Sequence, residues 1–482
     1  MAVTLDAPAQ DVLRALDAVP QGQHSQRAAL LNELGETLRR EGDAVGARQA
    51  FLDAARHARS VGDAQLLGEA ALGYGLGSGG LHRGLRCDLQ HIALLEESLS
   101  ALGAVESALR VRLLARLAEE LYFTPETSAR AALCGEAVAM AARLQDRDVL
   151  LPALHARALG HVGPDVPVEE RVEEAQELIS LAAELGDDEA AYLGHMLREL
   201  ALVESGRHAE ATTDLEAAER LSAQLGITSL QAWAATARAR RLWLGGHFAE
   251  AEAENARGLE LAMQKGGDPE AANLLLGGQL LSFQILRADL VPLLPAVQAY
   301  RHDYPHFTIL RCFVAYAQSE IGELDGARRE LVDLRSEGFA GLPRNAEWPG
   351  TMWALSRVAT ALRDVDTAAE LYAELASSSG RWFADWASIC LGPADTCLGM
   401  LAGLSGADDV AEAHFSEAEQ QARRASSPPW LADAQVQHAA ALLRQGGAAS
   451  RDRAEVLLKE ALGVCEALGI GALGARAAAL LS

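Results

Sequence analysis

The stretch Gly42-Asp43-Ala44-Val45-Gly46-Ala47-Arg48-Gln49-Ala50-Phe51-Leu52-Asp53-Ala54 decides the fold. It sets a Gly, an Ala five residues on, a large apolar residue at nine and a small one at twelve. The order returns at Gly206, Ala211, Leu215 and Ala218, and again at Gly322, Ala327 and Leu331, with Leu334 in the small slot. A weaker copy runs Gly246, Ala251, Asn255 and Gly258. From 42 to 206 is four periods, from 206 to 246 one, and from 246 to 322 two, each of roughly 40 residues. A helical pattern repeating at this length marks a solenoid, in which each hairpin buries its face against its neighbours. The Gly-Asp pair supplies the left-handed residue that ends one helix and the cap that starts the next.

Composition agrees. At 482 residues the chain exceeds what one hydrophobic core organises, and a stacked array removes that limit. Half the residues are hydrophobic but only 5% are aromatic, so Ala and Leu carry the packing, and no long Val/Ile/Thr alternation argues for strands. The net charge of −25 disfavours direct binding of a phosphate backbone, and the cluster Arg238, Arg240, Arg241 reads as a solvated or salt-bridged helix face. Six cysteines without a CxxC pair point to buried thiols in a reducing cytoplasm, with no disulfide framework and no zinc site. The first residues lack a basic start and an apolar core, and no long uncharged stretch follows. The expectation is a soluble cytoplasmic protein without a membrane segment.

The expected organisation is an N-terminal helix in 1–20, a repeat array over 21–472 and a capping helix in 473–482. About eleven hairpins of roughly 40 residues fill it. Gly338 to Pro349 and Ser377 to Gly380 interrupt the rhythm without being polar enough for linkers, and a bend is conceivable near 266–270.

Several words occur in a fixed order along the chain. They are Leu34-Gly35-Glu36 with Gly42-Asp43 and Ala47, Ala70 to Gly75, Leu113 to Ala118 with Glu120-Leu121-Tyr122, and Gly163-Pro164-Asp165. Later come Tyr304-Pro305, Arg311-Cys312, Phe339-Ala340 with Leu342-Pro343-Arg344, Trp348, Leu398-Gly399, Ala413-His414-Phe415 and Pro429-Trp430-Leu431-Ala432. On these residues the chain resembles the C-terminal tetratricopeptide-repeat module of bacterial ATPase regulators. These are the LuxR-type and adenylate-cyclase-linked kinds related to the maltose-regulon activator. The resemblance implies an all-α right-handed superhelix that senses a ligand or docks a partner behind a nucleotide-hydrolysing switch. The chain departs from that plan: it has no GxxxxGK[ST] loop and no basic recognition helix at its C-terminus, so neither ATPase nor DNA-binding roles carry over. The expectation is a stand-alone module or a regulator without its switch, and the resemblance transfers no catalytic residue.

In such arrays the first helix of each hairpin lines the concave wall. That places Arg116, Glu120, His195, Arg198, Trp233, Arg240, Gln279, Phe283, Arg311 and Arg357 as groove candidates. Arg suits carboxylate or phosphate recognition through its forked donors, and inter-repeat salt bridging is the alternative. Trp382 and Trp386 stand four apart, one side of a helix, and Trp348 and Trp353 begin the preceding hairpin, so these indoles could converge on the groove or fill gaps between hairpins. The pair His302 and His306 is broken by Pro305, and Cys390 and Cys397 are separated by Gly392-Pro393, so neither reads as a metal site. The leading functional reading is non-enzymatic recognition of a protein or peptide in the groove, with a regulator ATPase or a transcription factor as candidate partners and no cofactor. The alternatives are a small-molecule sensor and a repeat-fold enzyme using the Trp348–Trp386 region.

Overall fold

The structure is a computed structural model. It describes residues 7–41, 43–75, 88–124, 127–264, 269–287, 290–305, 307–385 and 389–482. Its helices are α1 (Ala7–Ala18), α2 (His24–Arg40), α3 (Ala44–Val61), α4 (Ala64–Tyr74), α5 (Leu89–Leu102), α6 (Ala108–Glu120), α7 (Thr127–Leu144) and α8 (Arg147–Gly160). There follow α9 (Val168–Leu185), α10 (Asp188–Glu204), α11 (His208–Leu225), α12 (Thr228–Leu244), α13 (Phe248–Ala262), α14 (Pro269–Gln284), α15 (Leu294–Asp303), α16 (Thr308–Glu320) and α17 (Leu324–Glu337). Next are α18 (Trp348–Leu362), α19 (Val365–Leu375), strands β1 (Trp382–Asp385) and β2 (Ile389–Pro393), then α20 (Ala394–Leu404), α21 (Asp408–Arg424), α22 (Pro428–Gln445), α23 (Ala448–Leu468) and α24 (Gly471–Leu481). The chain is thus an all-α array of tetratricopeptide-type hairpins with one inserted β-hairpin among the described residues.

The repeat pattern sets the hairpin turns. Gly206, Gly246 and Gly322 all hold φ between +74° and +85°, a region where a side chain is disfavoured. Gly42 lies outside the described residues, but Asp43 caps α3 as expected, accepting from the Gly46 N–H at 2.9 Å. Asp63 and Asp88 repeat the device on Leu66 and His91, each at 3.0 Å. The pattern's Ala and large positions are buried: Ala47, Phe51, Ala211, Leu215, Ala251, Ala327 and Leu331. A further copy starts at Gly406 (φ +77°), with Ala411, Phe415 and Ala418 buried in the same way, and was not expected from the sequence.

The chain forms two compact units. The first comprises Met1–His161, Glu174–Gly194 and Gln264–Ala271; the second comprises Val162–Glu173, His195–Met263 and Ala272–Ser482. In the first, the Phe51 ring sits between helix-interior Gly35 and Gly73, and a β-carbon on Gly35 would stand 2.7 Å from the ring. The second unit repeats this with Phe415 against Gly399, at 2.9 Å. In both pairs the glycine precedes the aromatic by 16 residues, so the first helix of a hairpin is hollowed where the second inserts its large side chain.

Polar contacts also follow the period. Arg48 reaches Asp88, 40 residues on, and Glu119 faces His155, 36 on, in the first unit. Glu199 faces Arg240, 41 on, and Tyr372 meets His414, 42 on, in the second.

One local expectation is overturned. Trp382 does not begin a helix: Trp382–Asp385 pairs antiparallel with Ile389–Pro393, Asp385 opposite Ile389 and Ala384 opposite Cys390. Trp382 therefore does not share a helix face with residue 386, and Trp386 itself lies outside the described residues. The physical reason is that both strands are almost wholly buried, an environment in which Trp-Phe and Ile-Cys-Leu pair as strand. Gly380 (φ +85°) and Gly392 (φ +86°) turn the chain at the two roots. This hairpin fills the interior of the second unit, touching α18 from β1 and α12, α20, α21 and α22 from β2.

The second unit also closes on itself. Ser427 Oγ, at the start of α22, donates to the Leu244 carbonyl at the end of α12, 2.7 Å away. Leu468 packs over Gly246. The first amides of α24, at Ala472 and Leu473, donate to the carbonyls of Arg287 and Leu286 at 3.2 and 3.1 Å.

Candidate binding cleft

The second unit holds an apolar cleft of about 500 Å³ between α14 and α15. Its floor is the middle of α14, where Gly277 and Gly278 fall in succession inside a Leu-rich helix. Interior glycines cost a helix about 1 kcal/mol each relative to Ala. Here the Tyr300 hydroxyl stands 3.2 Å from the β-carbon position of Gly277, while among the described residues only Ile389 Cδ1, 3.9 Å away, approaches that of Gly278. Leu280 and Leu281 continue the floor, Ala296 and Val297 of α15 form the facing wall, and Leu310 of α16 closes one end. Gln284 and Tyr300 are the polar side chains of the lining. Leu280 is 41% exposed, as expected for an apolar side chain at the mouth of an open site.

The residues singled out from the sequence lie elsewhere. In the first unit, Glu120 faces His91 at 2.9 Å and Arg116 faces Glu119 at 3.3 Å. In the second, His195 and Arg198 converge on buried Asp214, at 2.6 Å each, and hold its carboxyl below the usual range against the opposing effect of burial. Trp233 is half-buried beside Leu215 and Ala237. Arg240 binds both Glu199 oxygens at 2.5 Å, Arg311 pairs with Glu337 at 3.0 Å, and Arg357 spans Asp433 at 2.5 and 3.2 Å. Phe283 stacks on Trp243 at 4.5 Å, and buried Gln279 donates to the Thr236 carbonyl at 2.8 Å. Trp353 is fully buried under the Arg357 guanidinium at 4.3 Å, and Trp348 is buried beside Arg344.

Trp348, Trp353 and Trp382 are thus buried within the second unit. Trp348 and Trp382 flank a cavity of about 20 Å³, room for roughly one water and not for a substrate. The Arg candidates are engaged within a helix at Arg116, within a hairpin at Arg198 and Arg311, and between repeats at Arg240 and Arg357, inter-repeat pairing being the alternative already weighed for Arg240. Among the described residues, none of those selected from the sequence lines the cleft. The signal that marked it was Gly277-Gly278 amid leucines, which the repeat pattern does not read because neither glycine occupies a patterned position.

Two titrating groups stand apart from the cleft. Burial, reinforced by Arg240 and Arg241, lowers His208 to about 4 as it packs edge-on to Trp382 at 4.8 Å. Burial pushes Glu347 up to about 7, although the Ile309 N–H donates to it at 3.3 Å.

No helix among the described residues is long and apolar enough to cross a membrane. No protein-family model matches the chain, and no curated protein matches it. Among solved structures it is similar to a Rap protein complexed with competence and sporulation factor, at 13% identity and TM-score 0.42 over 77% of this chain and 96% of that one. It is similar to yeast Tom70 at 14% identity and TM-score 0.38, covering 91% and 92%. It is also similar to a circular tandem repeat protein at 15% identity and TM-score 0.18, covering 98% and 93%.

Proposed function

We propose that the chain is a non-enzymatic binding module whose cleft between α14 and α15 seats apolar side chains of a partner protein or peptide. The observation that carries this reading is the cleft itself: about 500 Å³ of apolar lining, open to solvent, with a glycine floor that admits close approach. Each large apolar side chain withdrawn from water contributes about 1.5–3 kcal/mol, so two or three support a specific but reversible complex once ordering costs are met. Helical segments present such side chains at i, i+3 and i+4. The net charge of −25 favours a partner with basic flanks. The sequence resemblance supports a regulatory setting, with an ATPase or transcription factor as partner.

A second reading rests on the same volume, which lies within the roughly 300–1,000 Å³ typical of small-molecule sites. Selection from a displayed random peptide library tests both. Enriched peptides with spaced apolar residues, whose binding is lost in Ala296→Trp, are expected; Ala296 is exposed on the cleft wall, so this variant should fold. Enrichment indifferent to Ala296→Trp would overturn the site. No enriched peptide, together with an apolar metabolite retained by the wild type and lost by the variant, would establish the small-molecule reading instead.

A further inference from the structure

Resting on the cleft as the binding site, we propose that its occupancy is transmitted through the β1–β2 hairpin to the buried Glu199–Arg240 pair and the α10–α11 turn. The hairpin touches both places. At its distal end Ile389 of β2 abuts Gly278 on the cleft floor, 3.9 Å from the β-carbon position. The Ile389 N–H donates to the Asp385 carboxylate at 2.8 Å, which ties the two strand ends together. The Asp385 carbonyl in turn accepts from Arg240 Nη1 at 3.4 Å, and Arg240 holds Glu199 at 2.5 Å. At the root end Trp382 packs edge-on to His208 at 4.8 Å, with its indole nitrogen 3.4 Å from the β-carbon position of Gly206.

The hairpin is anchored at its root. Asp395 clamps its root, accepting from Ser379 Oγ at 2.8 Å, the Gly380 N–H at 2.7 Å, His414 at 2.7 Å and Gln421 at 2.8 Å. Gly380 precedes β1 and Gly392 lies within β2, both at positive φ, and the β-carbon position of Gly392 stands 2.7 Å from the Trp430 ring. The register between Trp382 and Ala384 is irregular, so the ladder is weakest midway. An occupant pressed onto the floor shifts α14 at Gly278, and Ile389, which lies outside the cleft lining, packs against that point. Because Asp385 and Ile389 move as one hydrogen-bonded end, a shift there changes the carbonyl that Arg240 contacts. A buried ion pair responds discretely to such a change, since an ion left partly unpaired in a dry interior is costly.

The test uses N-phenyl-1-naphthylamine, a neutral fluorescent apolar molecule, with hydrogen–deuterium exchange read by mass spectrometry on the full chain. Saturation is expected to change exchange at least threefold in residues 199–210 and 238–244 of the wild type. Ile389→Ala should bind the dye within twofold of wild type yet leave those amides unchanged. Ala296→Trp should lose the dye and show no change, with Gly278→Leu as a second cleft-filling variant. Dye bound in the cleft without any exchange change at 199–210 or 238–244 would overturn the transmission and leave the cleft reading standing. Dye that does not bind, or that binds Ala296→Trp equally, would overturn both. An unchanged response in Ile389→Ala would show that the hairpin is not the route and also overturn the proposal.

Discussion

Glu199 and Arg240 stand one repeat apart, 41 residues, and both are buried, with Arg240 Nη2 reaching each carboxylate oxygen at 2.5 Å. Removing one member leaves an uncompensated charge in a dry interior. Glu199→Gln or Arg240→Met should each destabilise by about 3–5 kcal/mol. The double replacement Glu199→Gln with Arg240→Met should recover most of that. Urea unfolding of all four proteins in a double-mutant cycle measures the coupling. A coupling near zero would mean the pair is solvated in solution.

Gly35 and Phe51 provide the matching test of the packing device in the first unit. Gly35→Ala improves helix propensity by about 1 kcal/mol. Its β-carbon, however, would stand 2.7 Å from the Phe51 ring. The expected net effect is a loss of about 1–3 kcal/mol, relieved when Phe51→Leu is added. A stabilised Gly35→Ala single variant, read by thermal unfolding, would refute the tight fit.

His208 and Glu347 should give opposite pH slopes. His208 falls from an ordinary 6.5 to about 4 in the fold. The unfolded chain then binds the extra proton between those values, and stability rises with pH across about 4–6.5. Glu347 rises from 4.5 to about 7, so the folded chain binds the extra proton and stability falls as pH rises across about 4.5–7. Each effect is at most about 3 kcal/mol. Compared with wild type, His208→Gln should tilt the stability profile downward with rising pH, and Glu347→Gln should tilt it upward. Chemical denaturation at pH 4.5, 5.5 and 6.5 reads both.

The buried thiols should be silent in the native state. Burial pushes Cys134, Cys390 and Cys397 up to about 12 and Cys465 to about 11, and it raises Cys312 as well. A disulfide-exchange reagent such as DTNB at pH 8 is expected to leave these five unlabelled, with labelling appearing only in denaturant. Rapid native labelling of Cys390 alone would show that the hairpin opens spontaneously.

Much of the architecture was legible because its cause is periodic. Gly206, Ala211 and Leu215 repeat what Gly42, Ala47 and Phe51 announce, and burial follows the pattern. The copy at Gly406 was equally legible and went unread. The hairpin was not, since Trp382 and Trp386 fit a helical spacing as well as a strand start, and only tertiary burial separates the two. The cleft was hidden for a different reason. Its floor is defined by what Gly277 and Gly278 lack, and its facing wall comes from another helix. Nor does helical spacing specify the counter-charges that buried Arg240 and Arg357 find in Glu199 and Asp433.

The contact between Leu244 and Ser427 has a thermodynamic meaning. An open array frays from its ends, and its stability is close to a sum of nearest-neighbour terms. With α12 bonded to α22, and α24 to the carbonyls just after α14, the last helices of the second unit are tied to its earlier ones, so fraying at α24 breaks contacts beyond its nearest neighbour. Deleting α24 would do more than shorten the chain: it would strip the partners from Leu286 and Arg287, just beyond the helix that floors the cleft.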